Sequence, residues 1–322
     1  MKRSIAVAGS ILVDRINEIK AYPKEGELAQ IENVSKAVGG CVPNVAIDLK
    51  HIDDSLTVKA IGRIGNDADG DYVERVLSQN GIDTSCIKKF NKPTSFTDVM
   101  SVKGGQRTFF TYAGASADFC FQDIDFETLK VDALHLGYFL LLDKIDNGDG
   151  LEILKTAKSK GIKTSIDLVS ENTDRYGLVI PCLPYVDNLI INETEAGAIT
   201  KINPINENLV KIAKSLKHMG VKERVIIHTP NISLCLSKNG ASHLPSFDLP
   251  NGFIKGTTGA GDAFCAGALY GISMQKTDME ILQIASVCAT CSLMENDAIS
   301  GLKDLERMNK LCNGLKRKNI CL

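Results

Sequence analysis

From residue 133 onward, short β-branched runs alternate with helical patterns, and this alternation limits the fold more than any other feature of the chain. Residues 133–136, 163–166, 188–191 and 225–228 read as strands, with helices at 151–160 and 209–219 between them. Strands separated by helices cannot close as hairpins. Right-handed crossovers instead lay them parallel in one sheet with helices on both faces. Upstream, 4–7 reads as a buried central strand, 12–19 as a half-exposed strand, and 29–34 as a strand after the turn at 22–26. Val45, Leu49 and Ile52 recur at helical spacing, so a helix starts just after the Gly39-Gly40 pair. A strand at 58–61 and a helix at 70–80 follow, then a hairpin of 94–102 with 107–112 around Gly104-Gly105. Helical stretches at 263–272, 279–294 and 302–315 complete the chain. The expectation is a single α/β domain over residues 1–322, with a small β lid built from about 12–34 and 94–112.

Composition removes several classes of function. The 37 basic and 39 acidic residues are mixed along the chain, so there is no strong field to attract nucleic acid or an anionic membrane. No apolar run approaches the roughly 20 residues that cross a bilayer, and the first eight residues lack a signal peptide's apolar segment, which predicts a cytoplasmic protein. The 10 cysteines are irregularly spaced, which fits reduced, mostly buried thiols. The one CxxC pair, Cys288 and Cys291, lies inside a helical stretch, where a packing role is expected. None of the five histidines pairs with another at metal-ligand spacing.

The strongest local signal for chemistry is Gly256-Thr257-Thr258-Gly259-Ala260-Gly261-Asp262, a small-residue loop running into an Ala- and Gly-rich helix. With little or no side chain at Gly259, Ala260 and Gly261, an anion can approach N–H groups that a first helical turn leaves unpaired, where the macrodipole also favours negative charge. Asp262 lies at the rim of that hole, where it can take a proton from an alcohol attacking phosphorus; its structural alternative is a helix cap. No Gly-Lys pair occurs, which excludes a GxxxxGK[ST] loop, and Phe264 breaks a GxGxxG pattern at its third glycine.

Four segments together resemble the signatures of the ribokinase-like (PfkB) carbohydrate kinase family. The loop ending at Asp262 resembles its DTxGAGD motif, and Gly39-Gly40-Cys41-Val42-Pro43-Asn44 its Gly-Gly signature. The stretch from Gly62 to Gly70 resembles GxxGxDxxG, and Asn192-Glu193-Thr194-Glu195 resembles NxxE. The resemblance implies a three-layer αβα fold with a mostly parallel central sheet and a β-sheet lid. It also implies ATP-dependent phosphorylation of a hydroxyl, in the first instance a primary one, on a sugar or sugar derivative. Under it, Asp262 is the catalytic base, with Gly259, Ala260 and Gly261 as the anion hole. Asp14, Gly39, Gly40, Asn44 and Arg107 would face the substrate, while Asn192, Thr229, Thr257, Gly259 and Gly261 would face the nucleotide. Glu195 would serve Mg²⁺ through water.

The chain departs from the family pattern in three places. Gly256 stands where the family carries Asp, which leaves activation by a monovalent cation such as K⁺ open. Thr229-Pro230-Asn231 replaces a glycine-containing loop, and Glu295-Asn296-Asp297-Ala298 replaces a Gly-Ala pair. A nucleoside kinase of the same family and a non-catalytic sugar-binding protein with the same fold are the alternatives; no clear aromatic pair on the lid offers to sandwich a base. The exposed strand edges of the lid predict a homodimer through it.

Overall fold

In the computed structural model, residues 3–102, 107–170 and 174–320 are described. The Gly104-Gly105 turn expected between the lid strands lies outside them. The chain runs β1 (Ser4–Ala8), β2 (Leu12–Ile19), β3 (Ile31–Gly39), α1 (Cys41–Ile52), β4 (Thr57–Gly65), α2 (Ala68–Gln79), β5 (Asp83–Phe90), β6 (Ser95–Val102) and β7 (Arg107–Tyr112). It continues through β8 (Ala133–Phe139), α3 (Gly150–Ser159), β9 (Lys163–Leu168), β10 (Asn188–Asn192), α4 (Glu193–Thr200), α5 (Leu209–His218) and β11 (Arg224–His228). The antiparallel strands β12 (Ile232–Ser237) and β13 (Gly240–Pro245) then precede α6 (Ala260–Ser273), α7 (Asp278–Ser292) and α8 (Leu305–Cys312).

The main sheet has nine strands in the order β13-β12-β11-β10-β9-β8-β1-β4-β5, and every pairing from β11 across to β5 is parallel. Apolar side chains cover both of its faces. Ile5 and Val7 of β1 join a core with α1, α6 and α7, whereas Ala6 and Ala8 join a second core with α3 and α5. Burial on both sides explains why the strands read as continuous apolar runs rather than alternating ones. The sequence direction reverses between β1 and β8, so the cleft at their carboxyl ends has the topology of a ligand site.

The second sheet, β3-β2-β6-β7, is the expected lid, with β3 continuing beyond Val34 to Gly39 and so leading straight into α1. β2 and β6 pair in parallel at its centre, and the β6–β7 pair is antiparallel, as the hairpin reading expected. Three strands had no counterpart in the sequence reading: β5, and the hairpin β12–β13. The main sheet is therefore antiparallel at one edge, which agrees with the mostly parallel sheet expected and locates its exception at β12–β13.

Candidate active site

Asp262 lies in the first turn of α6, 4% exposed, where α1 and the end of β8 meet it. Its Oδ2 accepts a hydrogen bond from Asn44 Nδ2 at 2.9 Å and another from the Tyr138 hydroxyl at 2.9 Å. Burial, reinforced by the charge of Asp167, raises its pKa to about 7, while those two hydrogen bonds pull the other way. A carboxylate poised there is half ionised near neutrality, the condition in which a general base works best. Tyr138 was not among the residues expected from sequence. It sits at the carboxyl end of β8 with φ 55°, an unusual conformation for a bulky side chain.

The entrance to α6 is a glycine-lined turn. Gly259 caps the helix with φ 79°, and a Cβ there would meet the Ala298 backbone at 2.5 Å. Among the described residues, the Gly259 and Gly261 N–H groups have no backbone acceptor, so both are open to an anion. Ala260 differs: its N–H makes a long, 3.4 Å hydrogen bond to the Thr257 carbonyl. The candidate anion hole is thus confined to the N–H groups of the two glycines. His228, at the end of β11, stacks against Phe264 with ring centroids 4.7 Å apart, and burial lowers its pKa to about 4, so the imidazole behind the glycines is neutral.

The predicted sugar-facing residues gather at the base of the lid. Asp14 on β2 is paired across the sheet with Ala37 and Thr97, and burial raises its pKa to about 6. Gly39 brings the chain so close that a Cβ would lie 2.5 Å from the Asp14 carboxylate. Gly40, at φ 88°, turns the chain into α1 against the Ser10 carbonyl, and only glycine fits there. That turn places Asn44 on the first turn of α1, within reach of Asp262. Arg107 of β7 instead spans the cleft mouth, donating to Thr258 Oγ1 at 3.3 Å and the Asn296 carbonyl at 3.4 Å.

On the other side of the anion hole lies a cavity of about 620 Å³, with Asn192, Thr229, Thr257 and Gly261 at its polar end. Its apolar wall comes from Phe247, Leu249, Ile254, Ala289 and Leu293, none of which the sequence reading had singled out. A smaller recess of about 190 Å³, lined by Asp262, Asp167 and Glu195, meets the large cavity at Asn192, His228 and Gly261. Thr229 closes the β11–β12 turn, its Oγ1 accepting the Asn231 and Ile232 N–H groups at 2.9 Å each.

Asn192 and Glu195 form a capping box at the start of α4, the structural role that also fits their spacing. Glu195 Oε1 accepts from Ser170 Oγ and Asn192 Nδ2, both at 2.8 Å, and Oε2 accepts from the Asn192 N–H at 3.0 Å. Burial raises its pKa to about 7. With most of its lone pairs engaged, this carboxylate suits a hydrated Mg²⁺ held through water better than direct ligation.

The parallel sheet, the lid and the paired cavities at the strand ends define a small-molecule kinase. The chain belongs to the pfkB family of carbohydrate kinases, whose pattern it matches over residues 2–305, and it is a carbohydrate kinase. It is 25% identical over 316 residues to a ribokinase of Arabidopsis thaliana, covering 95% of this chain and 80% of the relative. It is likewise 25% identical over 331 residues to a probable chloroplastic fructokinase-6 of the same plant, covering 94% of this chain and 80% of the relative. Its fold superposes on the structure of Arabidopsis thaliana ribokinase complexed with ribose and ATP with a TM-score of 0.82, at 23% identity, covering 97% of this chain and 99% of the other.

Proposed function

We propose that this enzyme transfers the γ-phosphoryl group of ATP to a primary hydroxyl of a free sugar or sugar derivative, with Asp262 as the base. The observation that carries this reading is the juxtaposition of a buried carboxylate of raised pKa with two unbonded glycine N–H groups at one helix entrance. The sugar lies under the lid, its hydroxyls held by Asp14 and Asn44 with its face against Gly39 and Gly40. ATP occupies the 620 Å³ cavity, its base on the apolar wall and its phosphates directed toward Asn192, Thr257 and Gly261. Asp262 takes the hydroxyl proton as the oxygen attacks the γ-phosphorus, the bond to the β-phosphate oxygen breaks, and ADP departs. Charge gathering on the transferred group is met by the Gly259 and Gly261 N–H groups. Mg²⁺, when bound, supplies charge neutralisation on the triphosphate, with Glu195 and Asn192 the residues to hold its water shell.

A free sugar fits the lid better than a nucleoside. Among the described residues the aromatic pair on the lid is Phe96 and Tyr112, with centroids 5.3 Å apart, and the Arg15 guanidinium lies 3.8 Å over Phe96, so that ring face is already covered. Ribose and fructose, the sugars suggested by the relatives' names, are the first to assay.

Asp262→Asn keeps the size of the side chain and removes the base. We expect kcat in a coupled ADP assay to fall by about 10³-fold with the circular dichroism spectrum unchanged. Wild-type turnover by the variant would remove Asp262 from the mechanism.

A further inference from the structure

Beneath the cleft, three chemically matched side chains converge from three elements, and a fourth from α6 lies against one of them. Cys41 comes from the first turn of α1, His135 from β8, Asp167 from the end of β9 and Cys265 from α6, one turn beyond Asp262. Cys41 and His135 are fully buried and Cys265 nearly so. One donor atom each from Cys41, His135 and Asp167 falls within 4.8 Å of the others. His135 Nε2 is 3.6 Å from Asp167 Oδ2 and 3.6 Å from Cys265 Sγ. Gly137 leaves room for this convergence: a Cβ there would overlap Cys41 Sγ and lie 3.2 Å from Asp167 Oδ1.

We propose that Cys41, His135, Asp167 and Cys265 bind one divalent cation of the zinc class, at a site separate from the Mg²⁺ of the phosphoryl donor. Bond lengths of roughly 2.0–2.3 Å to nitrogen, oxygen and sulfur set tetrahedral edges of roughly 3.3–3.8 Å, and both 3.6 Å separations fall in that range. His135 already has the arrangement of a ligand. Its Nδ1 faces Ser165 Oγ at 3.1 Å, which fixes the ring and turns Nε2 toward the cluster. Asp167 is tied through its other oxygen, which accepts the Tyr138 N–H at 2.6 Å. Two thiols and an imidazole select a borderline or soft ion and disfavour Mg²⁺, whose all-oxygen preference matches the Asn192–Glu195 side instead. An entry path exists, because Asp167 and Cys265 both line the 190 Å³ recess that opens on the cleft. Binding releases the two thiol protons and joins α1, β8, β9 and α6 directly behind the candidate base.

Cobalt is the probe. Reduced, metal-free full-length protein titrated with Co²⁺ is expected to bind one equivalent per chain, with a thiolate-to-metal charge-transfer band and the strong visible bands of four-coordinate cobalt. Zn²⁺ should bleach both bands and raise the Tm, while millimolar Mg²⁺ should do neither. Cys265→Ser and Cys41→Ser should each weaken binding at least about tenfold in a chelator competition. If Cys41→Ser does not fold, Cys265→Ser decides. Cys312→Ser is the control, because Cys312 Sγ lies 4.0 Å from Cys291 Sγ in a second buried thiol pair. Absence of the thiolate band, its displacement by Mg²⁺, or its loss in Cys312→Ser with retention in Cys265→Ser would overturn the assignment.

Discussion

At the residue scale, the proposed chemistry turns on the ionisation of one carboxyl group. Burial and the Asp167 charge raise the Asp262 pKa to about 7, and only the ionised form can accept a proton. Activity carried by Asp262 is therefore complete above this value and lost as pH falls through it, so kcat/KM for the sugar should show an acid limb near pH 7. The Tyr138 hydroxyl donates to the carboxylate and so favours its charged form. Tyr138→Phe removes that donor, so the limb should move to higher pH, with a deficit at pH 7 that closes at higher pH. A uniform loss at every pH would mean that the tyrosine acts on something other than this ionisation. Sequence could place Asp262 because its neighbours form a local motif. It could not place Tyr138, which reaches the same oxygen from the end of β8, far away along the chain.

At the element scale, α1 carries a conflict with its own packing. Asp48, one turn beyond Asn44, is fully buried on α1, and neither carboxylate oxygen has a hydrogen-bond partner among the described residues. Its pKa is raised well above the ordinary 3.8, first by desolvation and then by Asp262 and Asp297. In the unfolded chain this group ionises near its ordinary value, whereas in the folded chain it holds its proton. Its contribution to stability is thus fully present below about pH 4 and is lost as pH rises toward the folded value. Asp48→Ala should raise stability by about 1–3 kcal/mol at pH 8, read as a higher urea midpoint, with the gain shrinking toward pH 4. An equal shift at both pH values would show that the carboxyl is not the cause. The same element marks how far the fold was legible. Val45, Leu49 and Ile52 announce α1 through their spacing, and Asp48 between them gave no warning that it would be inside. β5 was missed because Asp83–Phe90 is a mixed polar edge strand with no apolar alternation. The β12–β13 hairpin did carry a signal, the Asn239-Gly240 pair that ends the Lys238-Asn239 turn with Gly240 at φ 100°, which the expectation of strand–helix alternation obscured.

At the scale of the whole molecule, the lid is where sequence and structure leave a surface without a partner. Arg107 fastens its far strand to Thr258 and Asn296, so the lid is joined to the loop of the proposed anion hole. Its outer strands β3 and β7 are the two edges of a four-stranded sheet, each with a row of unpaired backbone groups. Val34 on β3 is 66% exposed, and Phe109 and Phe110 on β7 are each 58% exposed. Because successive strand residues point to opposite faces, Phe109 and Phe110 leave apolar surface on both sides of β7. A sugar under the lid covers one side at most. We propose that the same surface of a second copy covers the other side, the isologous arrangement that two-fold symmetry allows. Sedimentation at micromolar concentration should therefore give the mass of two chains. Whichever of Phe109→Asp and Phe110→Asp places its charge on the outward face should give the mass of one. That variant should also raise KM for the sugar more than it lowers kcat, because the lid supports binding while Asp262 remains in place. A wild-type mass of one chain, or two-chain masses for both variants, would leave the lid a partnerless flap.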